Sequence, residues 1–398
     1  MAQNNQGPKL SLQERDRRYG AIREKLTEQG VNCVIVQGSN LFYLTNGLTG
    51  ERYGLFPTEE GAPFLVLIHR RHLADLSAQV LADSQDWVKD LQSENGAIPF
   101  IERIKKMGLE KGTIGVTESR STTGGLSHGF YAQLQSGLES AKIVDVSAVF
   151  ANIRTIKSEE EIAMIDWANR IFDAGVRRVH EVARPGMLGK QVVQEAVKGM
   201  WDAGGDMEST IGFNFGPVPA QNPILGALCM TRKIQEGDIG TITAHAHYAG
   251  YCGHSDQEIA FGEPKPVYKA MFKSILQVRG EVLDKVKPGA TQRDLIEAYR
   301  KACEGTGFKS SVHSQIHQYG IDVPEFPGAE YRIADDKPTA GLGSAGNFTL
   351  ASGMIYSISP TLLGKGGEGT LLGGTSLVVT ENGHRELGDR KVEILVAA

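Results

Sequence analysis

The chain has 398 residues, with 42 basic side chains against 47 acidic ones and a formal net charge of −5 at pH 7. That length admits two domains and excludes a disulfide-held miniprotein, while 40% hydrophobic and 22% charged residues exclude a disordered chain. The acidic balance offers no basic field for collecting phosphates, so nucleic acid is excluded as a partner and a small molecule is expected instead.

From the N-terminus, the polar segment MAQNNQGPKLSLQERDRR lacks the apolar core of a signal peptide, and no apolar run is long enough to span a bilayer. Residues 11–30 carry apolar positions at helical spacing, with Gly30 as C-cap. Residues 31–38 read as a buried strand, SNLFYLTNG (39–47) as a turn into a second extended piece, 63–69 as a third strand and 71–82 as a helix. The alternation continues through 100–112, a strand at 113–119 and a helix at 125–138, which makes this part α/β. The boundary is placed near Asn152, giving domains 1–152 and 153–398.

Beyond it, Ser158 is an N-cap followed by Glu159, Glu160 and Glu161, with Glu161 completing a capping box, and Pro185-Gly186 ends the helix. A second helix covers 190–204. Residues 240–248 and 251–261 form a hairpin about Ala249-Gly250, with 243, 245 and 247 on one face. Helices over 267–286 and 291–307 precede a glycine-rich, strand-like C-terminal third. Cys33, Cys229, Cys252 and Cys303 show no C-x-x-C spacing, which fits a reducing cytoplasm better than a disulfide framework or a thiolate zinc site.

Five histidines, His245, His247, His254, His313 and His317, fall in two short blocks, with Asp256 taken as the hairpin's nearby carboxylate. Imidazole exchanges protons near neutral pH, so such a cluster suits general acid/base work, with Asp256 orienting or charging one ring. His247 and His313, at block edges, are read as structural, and Cys252 as a buried cysteine rather than a nucleophile.

The segments EQGVNCVIVQGSNLFYLTNG, R-T-I-K-S-E-E-E-I-A-M-I, GDIGTITAHAHYAGYCGHSDQEIAFGEP, HSQIHQYGIDVPEFPG, SGMIYSISP and SLVVTENGHREL, in this order, resemble blocks of the pita-bread family of creatinase, prolidase and aminopeptidase P. The resemblance implies a creatinase-type N-terminal α/β domain followed by a pita-bread catalytic domain. It also implies five ligand positions for two metal ions, two aspartates, a histidine and two glutamates. These fall on Thr243, His254, His317, Ser359 and Gly374. Four of the five ligands are replaced, so neither metal nor other cofactor is expected. Creatinase is the metal-free member. Its hairpin glutamate, its catalytic histidine and its second site glutamate fall on Asp256, Gln221 and Ser359.

The function expected is metal-independent hydrolysis of a carbon–nitrogen bond in a small, non-peptidic compound. His245, His254, Asp256 and His317 are the catalytic candidates, with His254 as proton donor and His317 as base. Arg52, Gln221, Arg332 and Ser359 are the substrate-binding candidates, and the resemblance further implies a homodimer with sites near its interface. The alternatives are a lyase acting on a small carboxylate, a non-catalytic binding protein, and a mononuclear metal site rebuilt from His245, His254, Asp256 and His317.

Overall fold

The computed structural model describes residues 7–47, 52–68, 86–117, 126–207, 209–216, 230–310, 315–325, 331–332, 337–338, 348–364, 366 and 368–397. Its contacts divide into two compact units, Leu10–Arg154 and Thr155–Ala398, the latter joined by the residues before Leu10.

In the first unit, α1 (Leu12–Glu28) starts at Ser11, whose Oγ accepts the Glu14 N–H at 3.1 Å, and Gly30 follows its end at φ 68°. Its buried stripe is Glu14, Arg18, Ile22 and Leu26, one residue per turn on one face. The strands are β1 (Cys33–Val36), β2 (Arg52–Pro57), β3 (Leu65–Ile68), β4 (Asp90–Gln92), β5 (Thr113–Val116) and β6 (Lys142–Asp145), ordered β4-β3-β2-β1-β5-β6 in one mixed sheet. Between them lie α2 (Gly38–Thr45), α3 (Ile98–Lys106), α4 (His128–Gly137) and, after β6, α5 (Ser147–Thr155). Phe100 and Ile104 of α3 and Phe130 and Leu134 of α4 pack on Cys33, Ile35, Leu55 and Leu65.

One expectation changes here. The segment read as an extended piece at 39–47 is the helix α2, closed by Asn46 in the left-handed conformation at φ 52°. Residues Asn40 to Thr45 are all buried, so the run carries no amphipathic period, and a short buried helix and a buried strand then look alike in sequence. Arg52 opens β2 opposite Ile68. The helix expected at 71–82 lies outside the described residues.

The second unit begins with α6 (Glu159–Val182), whose Ser158–Glu161 capping box is complete at 3.2 and 3.1 Å, and α7 (Gly189–Asp202). Next come β7 (Thr210–Gly216), β8 (Ile239–Tyr248) and β9 (Tyr251–Phe261), then α8 (Pro266–Leu283) and α9 (Gln292–Thr306). The remaining strands are β10 (Lys309–Ser310), β11 (Gln315–Gln318), β12 (Tyr331–Arg332), β13 (Lys337–Pro338), β14 (Ile355–Ser359), β15 (Thr361–Leu363), β16 (Thr370–Leu372), β17 (Thr375–Thr380), β18 (Gly383–Glu386) and β19 (Ile394–Ala397).

Two four-stranded sheets, β19-β9-β8-β7 and β11-β14-β17-β18, carry the site. Ile242, Ala244 and Ile259 of the first pack with Phe172 and Met200 of α6 and α7, while Ile316, Tyr356, Ile358 and Leu377 of the second pack with Ile275 and Tyr299 of α8 and α9. Because side chains alternate along a strand, covering these faces with helices turns the intervening residues toward the other sheet. Those residues are polar: Thr241, Thr243, His245, His254, Asp256, Glu258, His317, Ser357, Ser359 and Ser376. The hairpin joining β8 and β9 turns through Ala249 at φ 45° and Gly250 at φ 77°, the two positive values that a two-residue type I′ turn requires.

Candidate active site

The β8–β9 register stacks three cross-strand pairs on the inner face: Thr241 with Glu258, Thr243 with Asp256, and His245 with His254. The His245 and His254 rings stand 4.5 Å apart between centroids, and His317 from β11 lies 5.1 Å from His254. Tyr319 completes the wall at 6.1 Å from His254. His254 and His317 are buried, whereas His245 is half-buried.

Hydrogen bonds fix the tautomers of two rings. Nδ1 of His254 faces the Ala244 carbonyl at 3.3 Å, and Nδ1 of His317 faces the Gln318 carbonyl at 3.2 Å. A carbonyl only accepts, so each Nδ1 carries the proton and each Nε2 keeps its lone pair. Burial, followed by the neighbouring His317 and His247, depresses the His245 pKa to about 4; burial alone does so for His317, also to about 4. His254 is held well below its ordinary value by burial and then by His245 and His317. All three rings are therefore neutral at pH 7.

This reverses the expected role of Asp256, which does not charge an imidazole. Its Oδ1 accepts from Thr243 Oγ1 at 2.8 Å and its Oδ2 from Ser359 Oγ at 2.8 Å. Burial raises the pKa of its carboxyl. His254 thus loses its assignment as the charged donor, because among the described residues no carboxylate pairs with it to offset the cost of burying a cation.

Asp256 is also not alone. Glu258, two residues along the same face, accepts from Thr241 Oγ1 at 2.8 and 2.9 Å and from the Leu372 N–H at 2.7 Å. Burial first, with the neighbouring Asp256 adding to it, pushes its pKa up to about 8 against these hydrogen bonds. The period-2 alternation that selected His254 and Asp256 selects Glu258 as well, so the signal for this missed residue was present in the hairpin.

Gly374 explains how the Asp256 carboxyl fits. A Cβ at position 374 would come within 2.0 Å of Asp256 Oδ2 and 2.8 Å of Ser359 Oγ. The aspartate thus occupies the space into which a side chain at 374 would project. Behind the strand, Arg390 donates to the Gly374 carbonyl at 2.8 Å and to Ser255 Oγ, and its guanidinium pairs with Asp173 at 3.5 Å.

The five positions aligned with metal ligands do not suit a pair of divalent ions. Thr243 and Ser359 spend their hydroxyls on Asp256, both oxygens of Asp256 are engaged, and Gly374 offers no donor. Among the described residues, no group of three or more His, Cys, Asp or Glu side chains is arranged to hold a metal ion. The donor set that remains, two imidazoles without a free carboxylate, lacks the hard anionic oxygens of such a centre.

The other expected residues are more dispersed. Ser359 lies at the centre, bonded to Asp256. Arg52 belongs to the first compact unit, and the backbone of Arg332 pairs with Lys337. Gln221 and His313 lie outside the described residues. His247 sits at the hairpin end, its N–H bonded to Ser209 Oγ at 2.9 Å. Cys252 is fully buried and its thiol pKa is pushed upward by burial, which keeps it protonated and unreactive. No helix among the described residues is long and apolar enough to cross a membrane.

The sequence matches the family described as metallopeptidase family M24 over residues 163–381 and the creatinase/prolidase N-terminal domain over residues 18–156. It is 25% identical over 409 aligned residues to a creatinase from a Bacillus species, covering 94% of this chain and 90% of that one. It is 24% identical over 351 residues to an Xaa-Pro dipeptidase from Lactobacillus delbrueckii subsp. lactis, covering 85% and 88%. In fold it is similar to an Xaa-Pro dipeptidase from Bacillus anthracis, with a TM-score of 0.76 at 20% identity, covering 96% of this chain and 99% of that one.

Proposed function

The chain belongs to metallopeptidase family M24, a family of hydrolases, and from that premise we propose that it cleaves a carbon–nitrogen bond in a small, non-peptidic substrate by acid/base catalysis without a metal ion. The observation that carries this reading is the pairing of neutral imidazoles, with Nδ1–H tied to backbone carbonyls, beside a buried carboxyl pinned by Thr243 and Ser359. Burial lowers the imidazole pKa values and raises that of the carboxyl, which favours a neutral base beside a protonated acid.

In the proposed step, Nε2 of His317 or His254 takes a proton from water as its oxygen bonds to the substrate carbon. The carbon–nitrogen bond breaks, and the leaving nitrogen takes the proton of the Asp256 carboxyl. His245, nearer solvent, returns the proton from imidazolium to Asp256. Atoms balance as substrate plus water giving an acid or its analogue plus an amine. The protein is further proposed to act as a homodimer, with Arg52 of one subunit serving its neighbour's site.

The creatinase relative aligns over 94% of this chain, which supports a small substrate; the relatives named Xaa-Pro dipeptidase make dipeptides the competitor to test. The deciding experiment offers ureido acids, guanidino acids, small amides and Xaa-Pro dipeptides in ¹⁸O-labelled water with chelator present. Turnover of a non-peptide with one label in the acid product is expected. Unlabelled products would favour the lyase, chelator-sensitive cleavage of Xaa-Pro dipeptides would overturn the reading, and no turnover of any class would favour a binding protein.

A further inference from the structure

Ser357 occupies the middle of the site wall and has no role in the step above. It pairs with His317 of β11 on one side and with Ser376 of β17 on the other, so all three share a face. That face meets β9: Ser376 Oγ donates to the His254 carbonyl, and Ser359, two residues on from Ser357, donates to Asp256 at 2.8 Å. Ser357 Oγ is fully buried, yet has no hydrogen-bond partner among the described residues. A buried hydroxyl without a partner costs free energy that alanine would avoid.

What would satisfy it is set by its neighbours. The Nε2 atoms of His254 and His317 are lone-pair acceptors, because each ring's proton is on Nδ1. Ser357 supplies one donor and two acceptor lone pairs. Water, with two donors and two acceptors, can donate to an imidazole Nε2 while accepting from the serine, and buried waters characteristically hold two to four such partners.

We propose that Ser357, with His254 and His317, encloses a site for one ordered water. We further propose that this water is the attacking nucleophile, a second claim that rests on the function proposed above. Ser357 is then a positioning residue that holds the water oxygen while an imidazole accepts its proton.

High-resolution crystal structures of the wild type and of Ser357→Ala, with their thermal unfolding midpoints, test the site without any substrate. Density for a water within about 3.2 Å of Ser357 Oγ and of an imidazole nitrogen is expected in the wild type and should vanish in the variant, with the midpoint unchanged or lower. A dry Ser357, or one bonded directly to an imidazole, would overturn the site, as would a midpoint raised by about 2–4 °C through removal of an unpaired hydroxyl. The nucleophile claim is read separately: Ser357→Ala should lower kcat by about tenfold or more on the compound found in the panel, with KM unchanged. Wild-type kcat in that variant would overturn the claim. If the panel finds no substrate, the proposed function and the nucleophile claim fail together, while the density still decides the water site.

Discussion

Replacing Glu258 by Gln removes one titration and leaves the shape of the site nearly intact. The amide oxygen can still accept from the Leu372 N–H and the amide nitrogen can donate to Thr241, the partners of the carboxyl in the native site. Burial raises the Glu258 pKa from 4.5 to about 8 in the folded protein. Between those values the native state keeps a proton that the unfolded state has released, so stability falls as pH rises and levels off above about 8. Each pH unit in that window is worth about 1.4 kcal/mol, or about 2.7 kcal/mol from pH 5.5 to 7.5. Groups that do not interact with Glu258 titrate equally in both proteins and cancel in the difference. Urea unfolding of wild type and Glu258→Gln at pH 5.5, 6.5 and 7.5 should therefore show the stability difference moving in favour of the variant by about 2–3 kcal/mol. A difference that stays constant, or moves toward the wild type, would refute a protonated carboxyl at this position.

Three other outcomes follow from the same geometry. Gly374→Ala should displace the Asp256 carboxyl, costing about 1–3 kcal/mol as overpacking, and a crystal structure with Asp256 still bonded to Thr243 and Ser359 would contradict this. The pH–rate profile should be bell-shaped, rising as imidazoles lose protons near pH 4 and falling at higher pH as the Asp256 carboxyl, its pKa raised by burial, ionises; a rising limb centred on an ordinary histidine pKa would contradict the burial argument. In mixed dimers, an Arg52→Ala subunit combined with a His317→Ala subunit should recover part of the activity through one repaired site, and verified heterodimers without recovery would place Arg52 elsewhere.

Much of the scaffold was legible because local chemistry and tertiary packing agree. The Ser158–Glu161 capping box, the Ala249-Gly250 turn and the alternation of β8 and β9 each follow from side-chain chemistry close in sequence. The same alternation brought His245, His254 and Asp256 to one face, and the family resemblance supplied His317, 61 residues beyond Asp256 in the numbering and near it only through the second sheet. What sequence did not yield depends on burial and on distant partners. Helix α2 is buried on every side and so lacks a period. The hydroxyl that holds Asp256 Oδ2 comes from Ser359, and the room for that oxygen from Gly374, both far along the chain. Without those contacts, an aspartate two residues from a histidine reads as its ion-pair partner. The structure instead gives it hydroxyls and leaves the imidazoles neutral.

The central claim is that this site works through imidazoles and a carboxyl in place of metal ions. Its most direct test is elemental analysis of the purified protein after incubation with Mn²⁺, Co²⁺ and Zn²⁺ followed by gel filtration, paired with turnover measured before and after exhaustive chelation. Less than a tenth of an equivalent of any of these metals per chain (a roughly tenfold margin below one-site binding), with turnover unchanged by chelation, is the predicted result. One or two equivalents retained at the site, with turnover lost on their removal and regained on their return, would contradict it.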